Sequence, residues 1–213
     1  MRRWHASESK MRDILQRAGI DAVRLGMIKS VVDTCRECRA WQRPGNEVVQ
    51  SVSLPTKFLE EGEADLLFYK KYIAFHIVDR TLRFGDAEDI PDKSTSTLLD
   101  AYWSAWVKRN GPFKIFYMDG EMGMNNETAR AELKRLGTEL RVRAPGQHAR
   151  LIENRNGLLR HVMHLIEEDL KRYGADITFK RLLSEAVFVF NAFAFYNGDS
   201  PHNAVTGRQP ACL

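Results

Sequence analysis

The sequence predicts an α/β fold in which helices cover the faces of a mixed β-sheet. Two observations indicate this class: three β-rich runs follow one another near the middle of the chain, and strand and helix patterns alternate after them. Meandering strands followed by alternating elements give a sheet with both antiparallel and parallel pairs. With 213 residues, of which 44% are hydrophobic, the chain is long enough for one such domain and an additional segment.

The additional segment is predicted at the N-terminus, where the pattern is helical. Besides the first helix described below, a short helix is expected over residues 23–32. The Pro and Gly of residues 43–55 are typical of a linker. We therefore expect a small module over residues 1–50 and a core domain over residues 51–213. The first helix is indicated by four apolar residues at helical spacing: Met11, Ile14, Leu15 and Ala18.

The core elements are predicted in the order β-β-β-α-β-α-β-α-α. Lys70 and Lys71 separate the first two strands, as in a hairpin. The continuous apolar run over residues 113–118 is typical of a buried central strand. The expected strands are 64–69, 72–78, 82–87, 113–118 and 139–143, and the expected helices are 95–108, 125–136, 148–173 and 178–195.

Composition and charge exclude some classes of protein. No apolar run approaches the ~20 residues of a membrane span, and three cysteines argue against a disulfide scaffold and for a reducing compartment. The net charge of +4 divides into +4 for residues 1–50, −4 for 51–128 and +4 for 129–213. Basic flanks suit a polyanionic partner, and an acidic middle repels it unless cations intervene. Charged residues on solvent-exposed faces would give the same distribution of charge without any partner, so charge alone does not decide the function.

Three carboxylates stand at informative places in this layout. Asp65 lies inside the first strand, Asp119 follows the apolar run of the central strand, and Glu153 lies in the first turns of a long helix. Carboxylates in such places are costly to bury unless they share divalent cations, and oxygen ligands suit Mg²⁺ or Mn²⁺. Metal-dependent phosphoryl transfer is therefore predicted, while helix or strand capping explains Asp119 and Glu153 equally well when each is taken singly.

The sequence motifs around these three acids resemble the integrase region of retrotransposon polyproteins, and that of copia-type elements most of all. They are EADLL (63–67), KYIAFHIVDR (71–80), FYMDGE (116–121) and IENRNGLLR (152–160). The ending SPHNAVTGRQP (200–210) resembles the segment that follows the catalytic core in that family. The resemblance spans nearly the whole chain, and we expect the chain to be a piece of a longer polyprotein.

The resemblance implies a ribonuclease H-like core with an Asp-Asp-Glu triad formed by Asp65, Asp119 and Glu153. It implies DNA 3′-end processing and strand transfer with Mg²⁺ or Mn²⁺, element ends and target DNA as partners, a homo-oligomer, synthesis in the cytoplasm and action in the nucleus. The triad spacings are 54 and 34 positions, the second slightly short for the family. Members of the family usually carry an Asn-Gly pair in the loop before the Glu of the triad. This sequence has no such pair before Glu153, which leaves open how the loop handles substrate.

The N-terminal module resembles the family's His-His-Cys-Cys zinc module. Cys35 and Cys38 have the spacing of one thiolate half-site, and His5 matches the second His. The first His is not in this sequence, so the implied zinc site has three ligands. Either the gene product continues upstream or this copy has lost a ligand, and a Cys-x-x-Cys pair can also be redox-active or without function.

DNA contacts are predicted on and beside the helix of Glu153, from Arg150, Arg155 and Arg160. Three other functions remain open on the sequence alone. A catalytically inactive nucleic-acid-binding relic and a ribonuclease H-type nuclease would share the fold. A protein-interaction scaffold would use the apolar segment over residues 187–195.

Overall fold

The computed structural model of the chain describes residues 7–36, 55–120, 123–143, 150–194 and 198–209, and only the backbone of Arg150. Contacts between backbone positions group the chain into two units. One consists of residues 54–158, and the other of residues 1–53 together with 159–213. The division of the chain into a 1–50 module and a 51–213 core stays a prediction.

Five strands in the described part of the chain form one mixed sheet: β1 (Glu61–Tyr69), β2 (Tyr72–Asp79), β3 (Gly85–Ile90), β4 (Ile115–Asp119) and β5 (Glu139–Arg143). Their order in the sheet is β3-β2-β1-β4-β5. The three strands that meander along the sequence pair antiparallel, whereas β4 pairs in parallel with both β1 and β5. The predicted α/β fold with a mixed five-stranded sheet is confirmed.

The third strand begins three residues later than the sequence pattern predicts, because Asp79 closes a turn before it. One carboxylate oxygen of Asp79 accepts from the backbone N–H groups of Thr81 at 2.9 Å and Leu82 at 2.7 Å. The other accepts from the N–H of Leu59 at 3.0 Å. Arg83 has a φ of 62°, so the chain reverses here and β3 begins only at Gly85.

The helices as far as Phe193 confirm the predicted order with two local differences, and a short helix that was not predicted follows them. The predicted helix over residues 95–108 contains a π-helical turn (Trp103–Val107), and the predicted helix over residues 23–32 is divided at Met27. The described helices are α1 (Glu8–Arg17), α2 (Ala22–Gly26), α3 (Ile28–Asp33), α4 (Thr95–Tyr102), α5 (Lys108–Asn110), α6 (Glu127–Arg135), α7 (Arg150–Arg172), α8 (Phe179–Phe193) and α9 (Pro201–Thr206). Across the described ranges, no helix combines the length and apolarity that a bilayer crossing requires.

A stack of aromatic rings forms the centre of the 54–158 unit. The ring of Phe113 lies 4.6 Å from that of Trp106 and 5.5 Å from that of Phe116, which in turn stacks on Tyr102 at 4.7 Å. Ala64 of β1 belongs to the same buried cluster. Successive strand residues point to opposite faces, so Asp65 stands on the other face of the sheet. The core therefore fixes the strand that carries the first predicted acid.

The other unit is held by smaller apolar clusters. Ile14 of α1 packs with Val189 and Phe193 of α8, and a second cluster joins α1 to Ile28 of α3. Most of the described part of the apolar segment over residues 187–195 is buried, although Phe188 and Phe190 stay partly exposed.

Candidate active site

Asp65 is a partly buried carboxylate whose two oxygens are both hydrogen-bonded. Oδ1 accepts from the backbone N–H of Leu66 at 2.8 Å, and Oδ2 accepts from the side-chain amide of Asn156 at 2.7 Å. Burial raises the pKa of Asp65, and the negative charges of Asp119 and Glu153 raise it further, while both hydrogen bonds oppose the shift. A carboxylate in these surroundings gains from a nearby cation.

Asn156 connects Asp65 to a buried histidine. While its amide nitrogen donates to Asp65, its amide oxygen lies 2.6 Å from Nδ1 of His76. His76 is 4% exposed and Asn156 is 2% exposed. Burial lowers the pKa of His76 to about 4, with Arg155 lowering it further and the bond to Asn156 opposing the shift. The imidazole is therefore neutral at physiological pH.

Asp119 reaches the same face of the sheet from β4. The parallel register pairs Glu63 with Tyr117, and Asp65 and Asp119 each stand two residues further along their strands. Neighbouring strands lie about 4.8 Å apart, so this register brings the two carboxylates close together. Asp119 is exposed, because β4 ends there. The structure thus brings together the two predicted aspartates, one half-buried and one at the surface.

Glu153 lies in the first turn of α7. It is exposed, and its charge acts both on Asp65 and on Arg143 of β5. Asn156 follows Glu153 by three positions, and residues at that spacing share one helix face. The hydrogen bond from Asn156 to Asp65 therefore also fixes the part of α7 that carries Glu153.

The three carboxylates do not form a closed metal cage. Within the described ranges, no group of three or more Asp, Glu, His or Cys side chains is arranged closely enough to hold a metal ion. Mg²⁺ commonly binds to one or two carboxylates, several waters and substrate phosphates, so a loose oxygen-only set fits its chemistry. Burial first, and then the negative charges of Asp119 and Glu153, raise the pKa of Asp65, and a divalent cation would offset both effects.

A network of ion pairs lies beside the three carboxylates. Glu63 is 2% exposed and pairs with Arg143 and, at 3.7 Å, with Arg80. Arg143 lies opposite Asp119 in the register of β4 and β5. Both guanidinium groups lie over the ring of Tyr117, Arg80 at 4.9 Å and Arg143 at 5.5 Å. Fixed positive charge is thereby placed beside the acidic site.

Comparison with known structures identifies this fold. A chain of the simian T-cell lymphotropic virus intasome in complex with PP2A regulatory subunit B56 gamma matches with a TM-score of 0.70 at 13% identity, covering 95% of this chain and 70% of that one. The catalytic core domain of BIV integrase matches with a TM-score of 0.58 at 16% identity, covering 68% of this chain and 92% of that one. The HTLV-2 integrase catalytic core domain in complex with magnesium, in a dimeric form, matches with a TM-score of 0.59 at 11% identity, covering 68% and 94%.

The fold is that of a retroviral integrase catalytic core. No family model matches the sequence. No curated protein matches it either. The likeness therefore establishes the ribonuclease H-like architecture that the resemblance implied. The copia-type assignment, the zinc module and the chemistry go beyond this likeness and stay predictions.

The arginines that the sequence predicts to contact DNA differ in their surroundings. Arg155 is 5% exposed, and its guanidinium donates to the backbone carbonyl of Arg83. The expected phosphate contact does not fit that burial, and Arg155 instead ties α7 to the turn before β3. Arg160 is half-buried, and the side chain of Arg150 lies outside what the structure describes.

The predicted zinc ligands lie mostly outside the described residues. His5 and Cys38 fall there, whereas Cys35 follows α3 and is 9% exposed. The zinc site therefore stays a prediction.

Neither His76 nor Asn156 is among the site residues that the sequence predicts. A signal for Asn156 was present, because four residues of α7 recur at helical spacing and all are buried: Ile152, Arg155, Asn156 and Leu159. A buried amide on that face needs partners, and so does a buried guanidinium. No comparable pattern marks His76, whose partner lies 80 positions away.

Proposed function

We propose that the chain is the integrase region of a copia-type retrotransposon polyprotein and catalyses metal-dependent DNA strand transfer. The observation that carries the proposal is the parallel register of an integrase-type sheet, which sets Asp65 beside Asp119, together with the hydrogen bond to Asp65 from Asn156, three residues after Glu153. The three acids belong to different elements, β1, β4 and α7, and the charges of the other two nevertheless act on Asp65. A surface cap or a scaffold gives no reason for this convergence.

Asp65, Asp119 and Glu153 would hold Mg²⁺ or Mn²⁺. When bound, such ions lower the charge cost at the attacking and leaving oxygens of an in-line displacement at phosphorus. The chain itself favours the ionised form of Asp65 through two hydrogen bonds, which oppose the effect of burial on its pKa, and the bond from Asn156 ties the helix of Glu153 to β1. No side chain is required as a nucleophile, because water attacks in 3′-end processing and the freed 3′-hydroxyl attacks in strand transfer.

The partners that we propose follow from the same comparison. The neighbours include an intasome chain and a dimeric catalytic core in complex with magnesium, which supports DNA, a homo-oligomer and a divalent cation for this chain as well. Arg150 and Arg160 are proposed to contact DNA phosphates, so binding should weaken steeply with salt. We further propose zinc at His5, Cys35 and Cys38, and action in the nucleus, where integration takes place.

The experiment is a strand-transfer assay with short duplex DNA ends, run beside an RNA–DNA hybrid of the same sequence and with Mn²⁺. The proposal predicts processed and joined DNA products and no preference for cleaving the RNA strand. Cleavage confined to the hybrid would favour a ribonuclease H-type nuclease. DNA binding without any product, from protein whose oligomer is confirmed, would favour an inactive relic.

A further inference from the structure

We propose that His76 is a positioning residue, whose buried ring holds the amide of Asn156 in the one orientation that presents an N–H group to Asp65. The proposal deepens the proposed function and rests on it for the role of Asp65. Three elements of the 54–158 unit meet here, since His76 lies on β2, Asn156 on α7 and Asp65 on β1.

Both ends of the Asn156 amide are hydrogen-bonded. Its nitrogen lies 2.7 Å from Oδ2 of Asp65 and donates to it, so its oxygen is the atom 2.6 Å from Nδ1 of His76. An amide oxygen only accepts, and Nδ1 must therefore carry the hydrogen. Rotating the amide by half a turn would set its oxygen against the Asp65 carboxylate and its N–H groups against the N–H of His76. Both contacts would be repulsive, so the imidazole tautomer and the amide orientation fix each other.

Burial makes this coupling effective. His76 and Asn156 are 4% and 2% exposed, so bulk water does not compete for either bond. The ring is also confined at its other nitrogen. A Cβ on Gly85 of β3 would lie only 3.3 Å from Nε2. In the antiparallel register, His76 stands directly opposite Asp65, so the strand ladder sets the distance that Asn156 spans.

The consequence concerns the geometry of the acidic site. One Asp65 oxygen is fixed by the Leu66 N–H and the other by Asn156, which sets the plane of the carboxylate and leaves each oxygen with a further lone pair. Through Asn156, the same chain of bonds anchors the helical turn that bears Glu153. His76 thus acts through another residue on the relative placement of two carboxylates, as outer partners of metal-binding groups commonly do.

The test compares His76→Phe, which keeps the ring and removes both nitrogens, with His76→Asn, whose amide can donate in place of Nδ1. His202→Phe serves as the matched control. The first readout is the Asn156 side-chain amide in ¹H–¹⁵N spectra, and the second is Mn²⁺ affinity. We expect His76→Phe to shift the amide signals and to weaken Mn²⁺ binding by about 10- to 100-fold. His76→Asn should restore affinity to within about threefold, and His202→Phe should change neither readout.

Two results would overturn the proposal. One is an unchanged Asn156 amide in His76→Phe, and the other is a loss of Mn²⁺ affinity in His76→Asn as large as in His76→Phe. Should His76→Phe fail to fold, long-range ¹H–¹⁵N spectra of the unaltered chain decide the matter, because a ring protonated at Nε2 alone contradicts the assigned bond. Failure of the proposed function can be told apart from failure of this proposal. If the chain does not join DNA, the Asn156 amide signals and the His76 tautomer still report whether His76 positions Asn156.

Discussion

Asp86 of β3 offers a test of the electrostatics away from the acidic site. Its carboxylate accepts from the N–H of Ala87 at 2.8 Å and pairs with Arg109 at 3.2 Å. Burial nevertheless raises its pKa from 3.8 to about 6, with Glu88 adding to the shift and the two partners opposing it. The folded state therefore binds more protons than the unfolded state between these values, and Asp86 removes stability as pH rises through that window.

The magnitude follows from the shift. Each pKa unit corresponds to about 1.4 kcal/mol, so ionised Asp86 lowers the free energy of unfolding by at most about 3 kcal/mol above pH 6. Asp86→Asn keeps the acceptor for the Ala87 N–H and removes the charge. We expect this variant to be more stable than the parent by about 1–3 kcal/mol at pH 8 and equally stable near pH 3.5.

Urea unfolding at pH 3.5, 6 and 8 measures this difference. Asp92→Asn is the matched control, because hydrogen bonds from Ser94 lower the pKa of Asp92, so its removal should bring no stabilisation at pH 8. A gain for Asp86→Asn that is the same at every pH would refute the electrostatic reasoning. A loss of stability at pH 8 would show that the Arg109 pair outweighs the cost of burial.

Two further predictions concern packing and zinc. Gly62→Ala should destabilise the chain by about 1–3 kcal/mol in urea unfolding, since its Cβ would lie 2.4 Å from the ring of Phe113 in the aromatic stack. The control is Gly26→Ala, whose Cβ would meet no atom within 4 Å and which should be neutral. Equal effects of the two substitutions on stability would contradict the packing argument. Elemental analysis of the purified chain should find zinc that Cys35→Ser removes and Cys212→Ser does not, and zinc retained by Cys35→Ser would exclude the predicted ligand.

Local patterns were sufficient to predict most of the fold. The strand over residues 139–143 was predicted with its observed bounds, because alternation and a preceding Gly137 mark it. The third strand was misplaced, because the Asp79 side chain closes a turn that the apolar pattern does not register. The π-helical turn at Trp103–Val107 likewise has no signature in the apolar spacing.

The site was predictable only in part, for a physical reason. Asp65 stands out because a strand disfavours aspartate, whereas for Asp119 and Glu153 only the resemblance favoured a catalytic role over capping. The supporting bonds join residues 80 and 91 positions apart, and such pairs leave no local pattern. The DNA contact of Arg155 was predicted from the charge of its side chain, without its position on the buried face of α7.

Asp65, Asp119 and Glu153 are proposed to act together in divalent-metal-dependent DNA joining. The most direct measurement is the rate of strand transfer for Asp65→Asn, Asp119→Asn and Glu153→Gln beside Asp176→Asn, an exposed acid of the other unit. Metal stabilisation of the reacting oxygens is worth several kcal/mol, so each triad variant should lose at least about a hundredfold in rate. Asp176→Asn should keep the rate of the parent. Joining that persists undiminished in Asp119→Asn would contradict the account.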